Sequence, residues 1–324
     1  MSVSTISTRP SYAVRCFEID ASWTMRPCPA CLCEQSQPLF QKEGVRVVEC
    51  ERCRTAYVNP LPPGALLDAL YEQYGQTYFT NDAKLAVDFN ADRFRREWRV
   101  FPAADRRGRV LDVGCSTGSF LAAAGAEGFS ELYGIDIANA SIHHAKAVLP
   151  HAHLLAGDFT AGCYPAEFFD AVTLWATLEH VPNPEAFLRE AYRVLKPNGF
   201  LCVSVPSRGS LSFRLLKQRW SMVSIEHLNY FSPGSLRRMV GRCGFRTEDT
   251  YVPSFNPLLF ANDLLRPSEK RQADVTSQVQ AATRNARLRR SAMVSLVERI
   301  VDWACDLTGT GDLLIVTARK PHAR

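Results

Sequence analysis

Val110-Leu111-Asp112-Val113-Gly114-Cys115-Ser116-Thr117-Gly118 constrains this chain more than any other stretch. It reads as a buried strand, a tight glycine turn and a helix start. A second apolar run then ends in a carboxylate at Gly134-Ile135-Asp136. Strand, turn, helix and acid-tipped strand build the edge of a doubly wound α/β fold, where a nucleoside cofactor lies across the carboxyl ends of the strands. The glycines fall at 114 and 118, with an acid two residues before the first. A dinucleotide site needs a further glycine where the pyrophosphate nears the backbone, so this turn suits a different nucleoside.

From about residue 108 the chain alternates strand-like and helix-like segments, the pattern of a parallel sheet with crossover helices. Candidate strands are 109–113, 131–136, 153–157, 169–175 and 200–205, with two late ones near 247–252 and 312–318. The helix expected over 184–195 has Asn183 to cap it, Pro184 in its first turn, and Phe187, Leu188, Ala191, Val194 and Leu195 on one face. Another is expected over 233–243, from Ser232-Pro233 to Gly244.

Asp112-to-Gly118 resembles motif I of the class I S-adenosylmethionine (SAM) methyltransferases. Leu178-Glu179-His180-Val181-Pro182-Asn183-Pro184 and Val194-Leu195-Lys196-Pro197-Asn198-Gly199-Phe200 resemble two further segments of that family. The departures are Ser116, where motif I has its middle glycine, and Asn198, where the later segment has one. The resemblance implies a Rossmann-like seven-stranded sheet and SAM as cofactor. Asp112 is then expected to meet the cofactor's ammonium group, directly or through water, and Asp136 both ribose hydroxyls. Gly114 and Gly118 let the backbone lie close, since a Cβ there would crowd the ligand. Asp158 and Phe159 are expected at the adenine amino group and face, with Cys115, Ile137 and Trp175 completing the cofactor wall.

Upstream, Cys28-Pro29-Ala30-Cys31 and Cys50-Glu51-Arg52-Cys53 form two C-x-x-C pairs 18 residues apart. Four thiolates at this spacing close a tetrahedron around structural Zn2+ and leave no open position for catalysis. Strands at Val45–Glu49 and Thr55–Val58 flank the second pair, giving a small N-terminal zinc ribbon over 26–60. So short a module depends on its metal for folding. Cys33 reads as a spare thiol. Residues 1–25 are Ser/Thr-rich without an apolar core segment, which suits a disordered lead better than a secretory signal. Residues 61–107 read as a helical linker and lid, with Leu66, Leu67, Leu70, Tyr71 and Tyr74 at helical spacing. Arginines 93, 95, 96 and 99 read as a solvated face. The methyltransferase domain spans 108–324, with a helical insertion at 266–304 packed on the sheet or in a homodimer.

The order of cysteine module, tyrosine-rich helix, methyltransferase core and Glu226-His227-Leu228-Asn229-Tyr230-Phe231-Ser232 resembles bacterial natural-product methyltransferases, deoxysugar C-methyltransferases among them. The resemblance implies a small-molecule acceptor, with His227 as general base and Glu226 and aromatics positioning the substrate. His227 is also a plausible cap or core histidine. His180 is placed near the transferred methyl, or merely shapes the cofactor pocket. Tyr74, Tyr78 and Tyr230 are expected at the substrate or in a lid. C- and O-methylation are equally compatible.

Two other readings stand: a zinc-ribbon ribosomal RNA methyltransferase and a non-catalytic zinc-ribbon interaction protein. A net charge of +5 is small for a nucleic-acid binder, and the ribbon carries few positive charges. The intact Asp112, Gly114, Gly118 and Asp136 argue for catalysis. No apolar run is long enough for a membrane span. Eleven cysteines, an odd count without an export signal, point to a reducing cytoplasm.

Overall fold

The computed structural model describes residues 19–42, 44–90, 93–94, 97–265 and 292–322. Residues 1–18 of the lead and 266–291 of the expected insertion lie outside the described residues, as do Arg95 and Arg96.

The ribbon contributes β1 (Ser36–Lys42), β2 (Val45–Cys50) and β3 (Ala56–Val58). After the Pro-rich link come α1 (Gly64–Tyr74), a π-helical turn at Gly75–Phe79, α2 (Asp82–Asp88) and α3 (Glu97–Val100). Then β4 (Arg109–Val113), α4 (Ser119–Ala126), β5 (Glu131–Asp136), α5 (Asn139–Val148) and β6 (His153–Ala156) alternate. They are followed by β7 (Phe169–Trp175), α6 (Pro184–Val194), β8 (Leu195–Pro206), α7 (Leu211–Leu216), β9 (Asn229–Tyr230) and α8 (Pro233–Arg242). The described chain closes with β10 (Arg246–Tyr251), α9 (Pro257–Leu265), α10 (Ala292–Thr308) and β11 (Leu313–Arg319).

Seven strands form one sheet in the order β10-β11-β8-β7-β4-β5-β6. The five central and edge strands β4 to β8 run parallel, and β11 inserts antiparallel between β8 and β10. This is the Rossmann-like sheet expected from the sequence. Period-two side-chain alternation builds a core on each face. Leu111, Val113, Leu201, Val203, Leu314 and Val316 pack with Leu188 and Ala191 of α6 and Leu236 and Met239 of α8. Val110, Phe200, Cys202 and Ile315 face the other way, with Phe120, Leu121 and Ala124 of α4 and Ile142 of α5.

Local signals place the helices. The Asn183 side chain accepts from the Ala186 amide at 3.2 Å, and Ser232 and Ser235 form a reciprocal capping box at the start of α8. β8 is longer than its apolar core suggests, because Leu195 pairs with Phe169 before the Lys196–Gly199 turn breaks the register.

The ribbon is not a separate bead. Its sheet has the order β1-β2-β3-β9, so its fourth strand comes from the Glu226–Ser232 segment far downstream. Ala56 pairs with Tyr230 and Tyr57 with Asn229. Buried Glu49 binds Arg208, which follows β8. The expected boundaries at 26 and 60 are therefore too tight: Trp23 is buried with Val45, Val47 and Trp220, and Thr24 bridges to Leu61. Those lead residues are held by apolar contact and backbone pairing. Among the described residues no helix is long and apolar enough to cross a membrane.

Candidate active site and cysteine cluster

The glycine turn is built from the backbone outward. Gly114 and Gly118 have φ of 75° and 84°, and Ser116 sits at 47° in place of a glycine. An added Cβ at Gly114 would lie 2.6 Å from Thr177 Oγ1, and one at Gly118 would lie 2.7 Å from Leu149 Cδ1. Positive φ and close protein packing thus each require glycine at these two positions. The Ser116 amide donates to Asp136 Oδ2 at 2.8 Å, and the Ala138 amide donates to Oδ1 at 2.9 Å. One carboxylate therefore ties the first turn to the start of α5. Burial raises its pKa, against those two amides.

Asp112 is buried beneath the turn, with one neutral partner: Thr173 Oγ1 donates to it at 2.8 Å. Burial pushes its carboxyl up to about 8, and the Thr173 hydrogen bond opposes that rise. Ile137 is exposed beside Asp136 and offers an apolar wall. Trp175 packs on Phe120 with ring centroids 5.2 Å apart, and its indole nitrogen is buried without a partner. Asp158 is exposed and caps its own turn through Thr160, using one oxygen.

Two residues expected at the cofactor have buried side chains. A Cβ on Gly134 would meet Cys115 Sγ at 2.7 Å, and that thiol also lies 3.8 Å from the Ser116 carbonyl. Phe159 is buried against Phe187, with ring centroids 5.8 Å apart. Both side chains add to the core.

The Leu178–Pro184 and Glu226–Ser232 segments form one structure. Asn229 Nδ2 donates to the Leu178 and Val181 carbonyls at 2.9 and 2.8 Å. The Leu228 and Asn229 amides both donate to the Glu179 carbonyl. Arg26, just before the first cysteine pair, donates to the carbonyls of Val58, Pro182 and Leu228 and to Asn229 Oδ1. Arg26 and Asn229 are the positioning residues that sequence reasoning missed. Asn229 lies inside a quoted motif, whereas Arg26 carries no local signal.

This scaffold brings His180 and His227 into edge-to-face contact, ring centroids 4.5 Å apart. His227 Nδ1 lies 2.6 Å from the Met222 carbonyl and His180 Nδ1 3.0 Å from that of Glu226. Tyr71 OH sits 2.9 Å from His180 Nδ1. Glu226 presents its backbone carbonyl to this pair. Burial lowers the pKa of both histidines, so both are neutral at pH 7. Burial raises the Tyr71 phenol well above its usual value, and the nearby Glu226, Glu179, Tyr74 and Asp136 add to the rise. The π-helical turn carries Tyr78 and Phe79 beside Tyr74 and rests on the start of α5, where a Cβ on Gly75 would lie 3.1 Å from Ala138 Cβ. The turn carrying Tyr78 and Phe79 thus lies against the residue that leads from Asp136 into α5, and Tyr230 is fully buried, against Phe213, in the core beneath the ribbon.

Glu179 is fully buried, neither of its carboxylate oxygens has a hydrogen-bond partner, and burial raises it to about 8. Its folded pKa exceeds the unfolded value near 4.5, so the folded state holds an extra proton between these limits. The associated stability is complete below about pH 4.5 and lost as pH rises through about 8. Glu179→Gln removes this liability. Without added divalent cations, the variant should gain on wild type as pH rises from 5 to 8, by a few kcal/mol at the upper end. Thermal melts at intervals across that range check it; a constant gap between the two proteins would contradict a protonated buried carboxyl.

The four cysteines meet at the base of the ribbon. Cys28 and Cys53 sulfurs are 3.5 Å apart, Cys31 and Cys50 also 3.5 Å, and all four lie within 4.8 Å of one another. A disulfide needs about 2.0 Å. A tetrahedron of sulfurs at about 2.3 Å from a metal has edges near 3.8 Å. Both knuckles share one geometry: Leu32 and Arg54 follow the second cysteine of each pair with φ of 61° and 62°, and each donates its amide back to the first cysteine's carbonyl. Cys33 points to Gln35 instead.

A seven-stranded sheet in this order, with a glycine turn after β4 and a carboxylate at the tip of β5, defines the class I SAM-dependent methyltransferases. A family model described as "Methyltransferase domain" matches residues 88–250, half of the chain, and the chain belongs to that family. It is similar to the ubiquinone biosynthesis O-methyltransferase of Thiobacillus denitrificans, 30% identical over 168 residues that cover 46% of this chain and 69% of the relative. The enzyme of the same name from Neisseria meningitidis serogroup C is 31% identical over 177 residues, covering 48% and 71%. Among solved structures, a SAM-dependent methyltransferase from Thermotoga maritima superposes with a TM-score of 0.50 at 18% identity, over 78% of this chain and 99% of that one. That likeness is one of fold.

Proposed function

We propose that this chain transfers the methyl group of SAM to an oxygen or carbon of a small-molecule acceptor, with proton loss assisted by His180 and His227. The observation that carries this reading is the meeting of two neutral imidazoles with Tyr71, a phenol that also feels the charge of Asp136. In this reading the acceptor lies beside the cofactor's ribose end. SAM suits the cofactor wall: its ammonium supplies the countercharge that buried Asp112 lacks, and the unused lone pairs of Asp136 suit the ribose diol. Bound there, it supplies an electrophilic methyl group. The chain's own contribution is alignment, exclusion of water by the aromatic 71–79 segment, and removal of the acceptor's proton. The O-methyltransferase names of the relatives favour an oxygen acceptor.

We further assign structural Zn2+ to Cys28, Cys31, Cys50 and Cys53, whose four sulfurs fit a closed tetrahedral site. His227→Ala is expected to lower turnover at least a hundredfold while leaving SAM affinity within about threefold of wild type, since general acid–base groups contribute about 10²–10⁴. Calorimetry with SAM, beside methyl transfer to catechol- and sugar-type acceptors, measures both. Undiminished turnover would remove the histidine from the chemistry.

A further inference from the structure

A cavity of about 560 Å³ opens between the cysteine knuckles and α8, lined by Cys31, Arg52, Cys53, Arg238 and Arg242. Among the described residues its lining holds three guanidinium groups and no carboxylate. Arg238 and Arg242 stand one helical turn apart on α8, so both side chains leave the same face. Arg52 reaches the space from the knuckle between Cys50 and Cys53. Like charges gathered around one space repel, and here the fold gathers them from two elements distant in the chain. Arg242 is held in place: it donates to the Ala30 carbonyl through Nη1 and pairs with Glu185 Oε2 at 2.5 Å through Nη2. The guanidinium groups of Arg52 and Arg238 have no hydrogen bond or ion pair among the described residues. The helix dipole favours a cation at the C-terminal end of α8, which accounts for Arg242 but not for Arg52. The cysteine sulfurs converge on one another, 3.5 Å apart in each pair, so their lone pairs are committed to the cluster.

We propose that Arg52, Arg238 and Arg242 bind the phosphate group of a small molecule. A guanidinium fork matches two phosphate oxygens at once, and three forks can satisfy a dianion. The cavity volume falls in the range of small-molecule sites and leaves room for an organic part beside the phosphate. A phosphate held there bridges the knuckle and α8, and so clamps the ribbon to the domain that carries the main sheet. The site stands apart from methyl transfer and does not depend on it.

The test is calorimetry at low ionic strength, on protein that retains its zinc, with inorganic phosphate and with phenyl phosphate. We expect one site per chain with a Kd below about 1 mM. Phenyl phosphate binding at least fivefold more tightly supports the site and assigns it to an ester, whereas equal affinities support it and assign it to free phosphate. Arg238→Gln and Arg52→Gln should each bind at least fivefold more weakly, at unchanged melting temperature and zinc content. Arg237→Gln removes a neighbouring charge on α8 that lies outside the lining, and should bind as wild type does. Three results would overturn the proposal. Wild type binding neither ligand removes the site, and equal weakening by Arg237→Gln reduces it to a diffuse field. Weakening seen only in variants that also lose zinc makes the arginines supports of the cysteine cluster.

Discussion

Asp136→Ala is expected to weaken SAM binding by a hundredfold or more, as read by calorimetry with SAM or its demethylated product. The carboxylate has two tasks. It accepts the Ser116 and Ala138 amides at 2.8 and 2.9 Å, which shapes the turn, and its remaining lone pairs are the ones the proposed function assigns to the ribose. Hydrogen bonds to a charged acceptor are worth about 1.5–3 kcal/mol each, so two lost ribose contacts amount to about 3 kcal/mol or more. Each 1.4 kcal/mol is about a factor of ten in affinity. Loss of the two amide contacts loosens the turn and adds to the deficit. Burial raises the carboxyl's pKa, and only the ionised form accepts from all four donors, so affinity should also fall as pH drops through that raised pKa. A variant that binds SAM within threefold of wild type would refute this anchoring role.

Stripping the ribbon of zinc should abolish methyl transfer while sparing the cofactor wall. Structural zinc in such modules is worth about 10–16 kcal/mol of apparent folding free energy, so the metal-free ribbon will not hold its shape. β3 pairs with β9, and β9 immediately follows His227. Arg26 joins the ribbon to the carbonyls of Pro182 and Leu228. Loss of the ribbon therefore releases the segment that sets the two imidazoles. The glycine turn after β4 keeps its own backbone bonds to Ile135. Treatment with a strong thiol-competing chelator is expected to cut turnover at least a hundredfold, with SAM affinity changed by less than about fivefold and turnover restored by Zn2+. If turnover survives in protein shown to be zinc-free, the ribbon is not a support for the acceptor side.

Short-range features were legible in the sequence. The strands of the main sheet fall within a residue or two of their apolar runs, apart from the early start of β8, because alternating burial on two helix-covered faces leaves a period that needs no tertiary knowledge. The C-x-x-C pairs likewise announced their knuckles. What escaped was anything assembled across the chain. Tyr230 looked like a substrate-facing aromatic, yet its partners, Ala56 and Phe213, are brought to it by the fold. Phe159 and Cys115 sat in the right loops with side chains turned to the core, a choice made by packing volume. Glu179 was quoted as part of a family segment and given no task. Its isolation appears only once the surrounding residues enclose it.

The two-residue strand β9 has a consequence for how such a protein can change. Because it completes the cysteine module's sheet and borders His227, neither partner can drift freely. A ribbon transplanted from a relative would have to bring its own version of residues 227–231, or the borrowed edge would find no match. Selection on the segment beside His227 is thereby felt some 170 residues upstream, at its pairing partners Ala56 and Tyr57.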